Sequence, residues 1–323
     1  MKKDIKKILV IRNDYIGDLV LSSSVFREIR KEYPKSKIVA LVSNKNKEII
    51  AKNKNIDEII VSDPFWRKGS LTSFLNYLKV IRRIRKEKFE VGIDVKSSFL
   101  NIFFFLYLGN IKKRVAYYNH PMNKQKNFLT DYARYDSNVH ASDSDLEIVN
   151  VALNMKSKNS FPDIATDKED ENNVKSFIKK NNVKKFICIC PDASSEKKQW
   201  PLNRFDEIIK HLQKNYPKYK IILVGGDASK INFLAGKNKG VISLIKRNLR
   251  EVYLLFKKSS LIIAPDGGPM HLAWAAKANL IAFVPSYLSL KHIGPLGKTS
   301  HVIYKEVSEI NVEEVKKLIS KTL

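Results

Sequence analysis

Three short segments of this 323-residue chain place small, polar and charged residues between an apolar run and a helix-like run. The first reads RNDYIGD at positions 12–18. Gly17 would let a ligand approach the backbone closely, and Asp18 stands where a helix should begin. A carboxylate at that place either caps the helix or faces a ligand, and in the second case it can act as a general base.

The second segment reads PDASSEKKQWP at positions 191–201. Its hydroxyl residues, among them Ser194, and the cation Lys198 suit the binding of a phosphate at the N-terminus of the helix that follows. Taken alone, the lysines at 197–198 would be ordinary surface charge. The segment is therefore informative mainly in combination with the other two.

The third segment reads APDGGPMH at positions 264–271. Gly267 and Gly268 would let backbone N–H groups approach a diphosphate at a helix N-terminus, where the helix dipole favours negative charge. Asp266 precedes the glycines, and His271 lies one turn inside the helix, facing either a ligand or the core. Together, the three segments predict a site for a phosphorylated ligand.

The elements that must position these segments follow a strand–helix rhythm in both halves, which is typical of parallel α/β sheets. In the first half we predict strands at 7–12, 38–43, 58–61 and 91–95, helices at 18–33, 71–86 and 146–155, and a loop-like basic and aromatic segment at 117–135. In the second half we predict strands at 185–190, 220–224, 261–264 and 280–284, and helices at 203–216, 228–235, 249–257, 270–277 and 311–320.

A polar stretch at 156–173 predicts a linker between the halves. We therefore expect two Rossmann-like, doubly wound parallel-sheet domains, 1–165 and 166–323, that face each other across a cleft. All three chemical segments follow a predicted strand, so each should open at the carboxyl ends of the strands, where open parallel sheets bind ligands.

The formal net charge of +26 predicts attraction to a polyanion, which could be nucleic acid, an anionic membrane face or a phosphorylated glycolipid. Composition does not choose among these partners, and a solvated lysine-rich surface is the simpler explanation of much of the charge. Cys188 and Cys190 would point to one face of a strand, which suits neither a disulfide nor a metal site and indicates a reduced cytoplasmic protein.

No membrane-spanning or secretory segment is predicted. The N-terminus lacks the apolar region of a signal peptide, and the apolar run 99–108 falls short of the ~20 residues that a membrane span needs. That run is either a buried helix, which we favour, or an interfacial patch. The acidic pair Asp143 and Asp145 could in principle hold a metal ion, but first-turn acids of a helix explain it better, so we predict no metal site.

The three segments, in this order, resemble those of the heptosyltransferases, glycosyltransferase family nine. The resemblance runs from about position 8 to 295 and is carried by IGD at 16–18, KQWP at 198–201 and above all DGGPMHLA at 266–273. It implies the type B glycosyltransferase architecture, with an acceptor-side domain at 1–165 and a nucleotide-sugar donor domain at 166–323. It also implies an inverting reaction without metal or cofactor, ADP-heptose as donor, and the lipopolysaccharide inner core or a related surface glycolipid as acceptor.

The resemblance also assigns roles to residues. Asp18 would be the catalytic carboxylate and Lys198 the catalytic lysine that contacts the donor phosphate. The remaining residues matched to donor binding are Gly17, Ser194, Asp227, Asp266, Gly267, Gly268 and His271. Asp227 follows VGG at 224–226, where family members often bind the ribose. Two departures concern the nucleotide pocket: Asp192 stands where many members have glycine, and FVPS at 283–286 replaces a more usual glycine-containing turn.

The expected partners are a nucleotide-sugar donor, an anionic glycolipid and, through the positive charge, the cytoplasmic face of the membrane; nucleic acid is not expected. The acceptor would meet a basic and aromatic segment that could also be an ordinary surface loop; its members are Arg114, Tyr117, Tyr118, His120 and Lys124.

Three alternatives remain open at this point. A hexose transferase or an epimerase of another nucleotide sugar would share the cleft and differ in the sugar pocket. A nonenzymatic nucleic-acid-binding protein rests on the charge alone and leaves the three segments unexplained. An inactive scaffold is disfavoured because Asp18, Lys198 and the segment 266–271 are all retained.

Overall fold

The computed structural model describes residues 4–63, 71–118 and 123–323, without the side chains of residues 71, 123 and 124. The chain divides into two compact units, Met1–Ala165 and Thr166–Leu323. Each unit is built on one six-stranded sheet in which all neighbouring strands are parallel. The prediction of two doubly wound α/β sheets is therefore confirmed.

The sheet of the first unit has the strand order β3-β2-β1-β4-β5-β6. Its strands are β1 Lys7–Arg12, β2 Lys37–Val42, β3 Glu58–Val61, β4 Val91–Asp94, β5 Lys113–Tyr118 and β6 Asp131–Arg134. The central strand β1 is buried at every residue after Lys7, because parallel strands are covered by helices on both faces. Such a strand is a continuous apolar run rather than an alternating one, and this is why β1 was recognisable.

The helices of the first unit are α1 Ile16–Ser22, α2 Ser24–Glu32, α3 Leu71–Glu87, α4 Phe99–Asn101 and α5 Ala141–Leu153. The single helix predicted at 18–33 is wrong, because it is interrupted at Ser23. The Ser23 hydroxyl donates to the carbonyl of Val20 at 2.6 Å and accepts the N–H of Asp163 at 2.8 Å. Serine hydroxyls compete with the helix for backbone partners, and this run of three serines ends one helix and begins the next.

The apolar run 99–108 forms α4 and a π-helical continuation, Ile102–Tyr107. Ile102, Phe105 and Leu106 are fully buried, as predicted, whereas Tyr107 is 46% exposed. One face of the run therefore belongs to the core and the other lies at the surface. In the three stretches that the structure describes, no helix is both long and apolar enough to cross a membrane.

The loop predicted at 117–135 is wrong for most of its length. It contains the end of β5, a 3-10 helix at Asn123–Phe128 and the edge strand β6. Only Ala133 of β6 is buried, so this strand has too few apolar residues to be recognised from the sequence. Positions 119–122, including His120 of the proposed acceptor segment, lie outside the described residues.

The sheet of the second unit has the order β12-β11-β10-β7-β8-β9. Its strands are β7 Phe186–Ile189, β8 Lys220–Gly225, β9 Ile242–Ile245, β10 Leu261–Pro265, β11 Leu280–Val284 and β12 Ser300–Tyr304. Its helices are α6 Lys168–Lys180, α7 Leu202–Asn215, α8 Ala228–Lys237, α9 Leu249–Lys258, α10 Gly268–Ala275, α11 Leu290–Ile293 and α12 Val312–Thr322. The two outer strands, β9 and β12, and the helices α6 and α11 were not predicted.

Helix α6 corrects the predicted linker, whose last residues it contains. The helix starts with a capping box in which the side chains of Asp167 and Asp170 each accept the backbone N–H of the other residue. Asp170 also binds Arg250 of α9 through two hydrogen bonds of 2.8 and 3.0 Å. An acidic sequence that resembles a linker is thus held by its cap and by a buried ion pair.

Both sheets reverse their winding beside their first strand, between β1 and β4 in one unit and between β7 and β10 in the other. At such a switch point the loops after the two adjacent strands diverge and leave a crevice at the carboxyl ends. The loops after β1, β7 and β10 contain the three chemical segments, so the topology brings each of them to a switch point.

We expect Arg250→Ala to lower the free energy of unfolding by about 3–5 kcal/mol, because it leaves the Asp170 carboxylate buried without its cation. Lys175→Ala is the control: it removes an exposed pair with Glu171 at 3.8 Å and should cost less than about 1 kcal/mol. Urea unfolding followed by circular dichroism measures both. Equal effects would contradict the structural role given to Asp170.

Candidate active site

At the end of β1, a buried arginine is surrounded by three carboxylates. Arg12 is 8% exposed, and its Nη1 donates to the carbonyl of Val95 at 3.1 Å. Its Nε lies 3.4 Å from Asp14, and its Nη2 lies 3.7 Å from Asp18 and 3.6 Å from Asp145. The sequence analysis did not select Arg12, although a charged residue that ends an otherwise apolar strand was the available signal.

Asp18 is the accessible carboxylate of this cluster. Its side chain is 36% exposed, compared with 8% for Asp14 and 5% for Asp145. Tyr15 occupies the cap position of α1, so Asp18 lies in the first turn of the helix, two residues after its first residue, Ile16. The helix dipole stabilises an anion there, and the exposed carboxylate has access to solvent for proton transfer.

Asp145 corrects the interpretation of the acidic pair. Helix α5 begins at Ala141, so only Asp143 lies in its first turn. Asp145 is one turn further on and is buried, where it accepts a 2.6 Å hydrogen bond from Ser22 in addition to facing Arg12. Burial raises the pKa of Asp145 to about 6, although Arg12 and Ser22 oppose the shift.

A third buried carboxylate, Asp94, ends β4 beside this cluster. It accepts hydrogen bonds from Asn101 at 3.2 Å and from the N–H of Ser98 at 2.8 Å, and Asn101 in turn exchanges two hydrogen bonds with Asn13. Burial raises the pKa of Asp94 to about 7, although these hydrogen bonds and Lys96 lower it. The carboxyl ends of β1 and β4 therefore carry a continuous polar network.

In the second unit, the loops after β7 and β10 meet through Lys198 and Asp266. The Lys198 ammonium donates to Asp266 at 2.6 Å, and His271 Nε2 lies 3.7 Å from the other oxygen of the same carboxylate. Asp266 and His271 are buried, and burial lowers the pKa of His271, so its imidazole is neutral near pH 7. An ammonium group has three donors, and the contact with Asp266 uses one.

The two glycines lie at the N-terminus of α10. Helix α10 begins at Gly268, with Gly267 as its cap residue. Its first backbone N–H groups therefore follow directly after Asp266, the carboxylate that binds Lys198. A Cβ built on Gly267 would meet only Pro269 at 3.9 Å. Packing within the described residues therefore leaves room for a side chain at Gly267. Because glycine has no side chain, the helix N-terminus stays open to a ligand.

Asp227 and Asp192 have definite structural partners. Asp227 caps α8 by accepting the N–H and the hydroxyl of Ser229 at 3.0 and 2.6 Å. Asp192 accepts the N–H groups of Gly226 and Asp227 at 2.6 and 3.1 Å and so ties the loop after β7 to the loop after β8. A Cβ on Gly225 would lie 2.6 Å from the same Asp192 oxygen, so the VGG sequence suits an aspartate at 192.

The remaining predicted residues are placed apart from these contacts. Ser194 is exposed in the loop after β7, and Gly17 is buried in α1. Arg114 donates to the carbonyls of Phe128 and Ile111 at 2.6 and 2.7 Å, and the Tyr117 hydroxyl is buried against the carbonyl of Ser144. These two members of the proposed acceptor segment therefore act within the fold.

The family model of glycosyltransferase family 9 (heptosyltransferase) matches residues 77–320, which is more than half of the chain. The chain belongs to glycosyltransferase family 9. This family 9 protein is therefore a glycosyltransferase, and the match includes Lys198, the Asp266–His271 pair and the α10 N-terminus. Asp18 lies before the matched residues.

Relatives of this family 9 glycosyltransferase align over nearly the whole chain. The "Lipopolysaccharide heptosyltransferase 1" of Campylobacter coli is 25% identical and covers 97% of this chain and 98% of its own length. Among solved structures, the glycosyl transferase family 9 from Veillonella parvula has a TM-score of 0.84 at 21% identity and covers 100% of this chain and 98% of its own. An E. coli heptosyltransferase solved with ADP has a TM-score of 0.80 at 16% identity, covering 98% of this chain and 100% of its own. Both structures show the shared fold.

We expect the stability of the wild-type protein to fall as the pH rises from 5 to 8, and Asp94→Asn to reduce this fall. The folded carboxyl, with a pKa of about 7, keeps a proton that the unfolded chain releases above pH ~4, so its contribution is present at low pH and is lost as the pH passes 7. One such group contributes at most about 1.4 kcal/mol per pH unit. Urea midpoints across this range measure the effect, with the exposed Glu147→Gln as control; identical pH slopes in all three proteins would refute it.

Proposed function

We propose that this glycosyltransferase moves a heptose from ADP-heptose to the inner core of lipopolysaccharide or a related surface glycolipid, with inversion and without a metal ion. The observation that carries the proposal is the Lys198–Asp266–His271 group at the N-terminus of α10. A cation and a helix N-terminus together suit a diphosphate. The names of the relatives supply the sugar and the acceptor, since one is a lipopolysaccharide heptosyltransferase and one was solved with ADP.

In the proposed reaction, the acceptor hydroxyl oxygen forms a bond to the anomeric carbon while the bond from that carbon to the diphosphate oxygen breaks. Asp18 takes the hydroxyl proton, and ADP leaves from the opposite face of the sugar. Charge builds on the leaving diphosphate, where Lys198 and the N–H groups of α10 stabilise it. Asp266 holds Lys198 in place and leaves two of its ammonium protons for the phosphates.

Ser194 and Asp227 have supporting roles in this proposal. Ser194 is exposed on the loop that carries Lys198, so its hydroxyl can reach a ligand that Lys198 binds. The Asp227 carboxylate is 43% exposed although it caps α8, so one face can still accept a hydrogen bond from a ribose hydroxyl. Asp192 holds the backbone of Asp227 in place for that contact.

We also propose that the protein works at the inner face of the cytoplasmic membrane and contacts it through the basic face of α3. Leu75, Lys79, Arg82 and Lys86 follow the spacing of one helix face, and all four are exposed. Phe74 and Leu75 are 38% and 47% exposed at the N-terminal end of α3. Basic residues beside exposed apolar side chains are typical of a helix that lies on an anionic lipid surface.

We expect ADP-heptose to bind the metal-free protein, and Lys198→Ala to weaken binding by about 10-fold or more, because a charge-assisted contact with the diphosphate is lost. Lys197→Ala is the matched control, since this lysine is exposed in the same loop, and it should leave binding within about two-fold. Titration calorimetry with ADP-heptose, ADP and a UDP-sugar measures the affinities. Selective binding of the UDP-sugar would overturn the heptose assignment.

A charge reversal of the basic face of α3 should release the protein from anionic membranes. The variant Lys79→Glu/Arg82→Glu/Lys86→Glu should lower the partition coefficient onto phosphatidylglycerol-containing vesicles, measured by sedimentation, by about 100-fold or more. Each cation at the surface contributes about 1 kcal/mol of binding free energy. The control reverses Lys175, Lys179 and Lys180 on α6, an equal change of net charge on another exposed helix. An equal loss in the control would show that total charge and not this face is responsible.

A further inference from the structure

Arg12, the buried arginine at the end of β1, takes no direct part in the proposed reaction. We propose that Arg12 is a positioning residue that orients the Asp18 carboxylate and places a positive charge beside it for proton transfer. The inference rests on the proposed function, in which Asp18 is the base. It gives a role to Arg12, which begins the segment 12–18 but was not predicted as a site residue.

The guanidinium is held rigidly. Its Nη1 is bound to the carbonyl of Val95, which follows β4, while its backbone belongs to β1, so two neighbouring strands fix the group. The opposite nitrogen, Nη2, faces Asp18 and Asp145 at nearly equal distances of 3.7 and 3.6 Å. Asp18 and Asp145 therefore share one cationic nitrogen. A change of charge at Asp145 changes the electrostatic interaction between Arg12 and Asp18.

The contacts of Arg12 are not those that would give the greatest stability. A guanidinium is most stable when it binds one carboxylate through two parallel hydrogen bonds, as Arg250 binds Asp170. In Arg12 the Nε is buried without a hydrogen-bond partner among the described residues, and the same holds for Asp14 Oδ1, which lies 3.4 Å away. The unmet hydrogen bonds cost stability, which indicates that the arrangement is retained for another purpose.

The charges around Asp18 make the cation necessary. Besides the three carboxylates that it contacts, Asp14 in the loop after β1, Asp18 on α1 and Asp145 on α5, Arg12 interacts electrostatically with Asp94 at the end of β4. Among the described residues, Lys96, Tyr77, Tyr117 and Tyr135 interact electrostatically with members of this cluster, and Glu147 and Asp136 act on Tyr117 and Tyr135 in turn. Burial raises the pKa of both Asp14 and Asp145, and the exposed Asp18 is the carboxylate that an acceptor can reach.

The test is the pH profile of kcat for three variants and the wild type, with ADP-heptose and a lipopolysaccharide acceptor. Arg12→Met should lower kcat by about 10-fold or more and move the acid limb up by about one pH unit, because Asp18 then loses the cation beside it and keeps its carboxylate neighbours. Compared with Arg12→Met, Arg12→Lys should bring the acid limb most of the way back to its wild-type pH and restore less of kcat. Lysine keeps the positive charge but lacks the planar guanidinium that contacts several groups at once. The dissociation constant of ADP-heptose should stay within about two-fold.

Asp145→Asn should shift the acid limb of the kcat profile in the opposite direction. It tests the inference even if Arg12→Met does not fold. It removes the competing charge from Nη2 while its amide oxygen can still accept from Ser22, so the acid limb should move to lower pH. A loss of stability alone cannot move the limb in opposite directions. An unmoved limb in folded Arg12→Lys and Asp145→Asn would overturn the inference.

Asp18→Asn separates this inference from the proposed function. Full activity of Asp18→Asn would refute Asp18 as the base and the proposed mechanism with it. An inactive Asp18→Asn, together with unmoved limbs in the other variants, would refute only the role of Arg12.

Discussion

The parallel pairing of the central strands is the constraint on which the rest of the structure depends. A parallel pair cannot be closed by a tight turn, so each strand needs a helical crossover, and all strands end at the same edge of the sheet. In both units the winding reverses beside the first strand, at β1 and β4 and at β7 and β10. The helices move away to opposite faces there, so these loop ends are the ones left for polar chemistry.

Each of these edges carries a cation held by carboxylates, but the two are built differently. Lys198 meets one carboxylate at 2.6 Å, a short and well-formed contact on a loop that retains free donor capacity. Arg12 meets three carboxylates at 3.4 to 3.7 Å inside the fold. The first arrangement suits the binding of an additional anion. The second suits the positioning of a carboxylate that accepts a proton in the proposed reaction.

The family assignment and the local geometry support different parts of the account. The family model shows that the chain is a glycosyltransferase of family 9, and the fold likeness extends over both units. At 16 to 25% identity, however, the identity of the donor depends on a few side chains and not on the fold. Asp192 illustrates this, since it departs from the expected glycine and yet binds the loop of Asp227 through two backbone N–H groups.

The sequence by itself determined the α/β class, the positions of the central strands and the three polar loops that follow them. Short continuous apolar runs such as Leu280–Val284, rich in β-branched and aromatic residues, predict buried strands of a parallel sheet, and glycine with charged residues directly after such runs indicates a loop at the carboxyl edge. The tertiary structure decided the weak elements. Strand β6 has one buried residue, and the only apolar residue that α6 buries fully is Val174, so neither has enough apolar pattern to be recognised. It also decided the partners of Arg12, because Asp145 comes within 3.6 Å only when α5, more than a hundred residues along the chain, packs against α1 and β4. An ion pair depends on which elements become neighbours, and local sequence does not specify that.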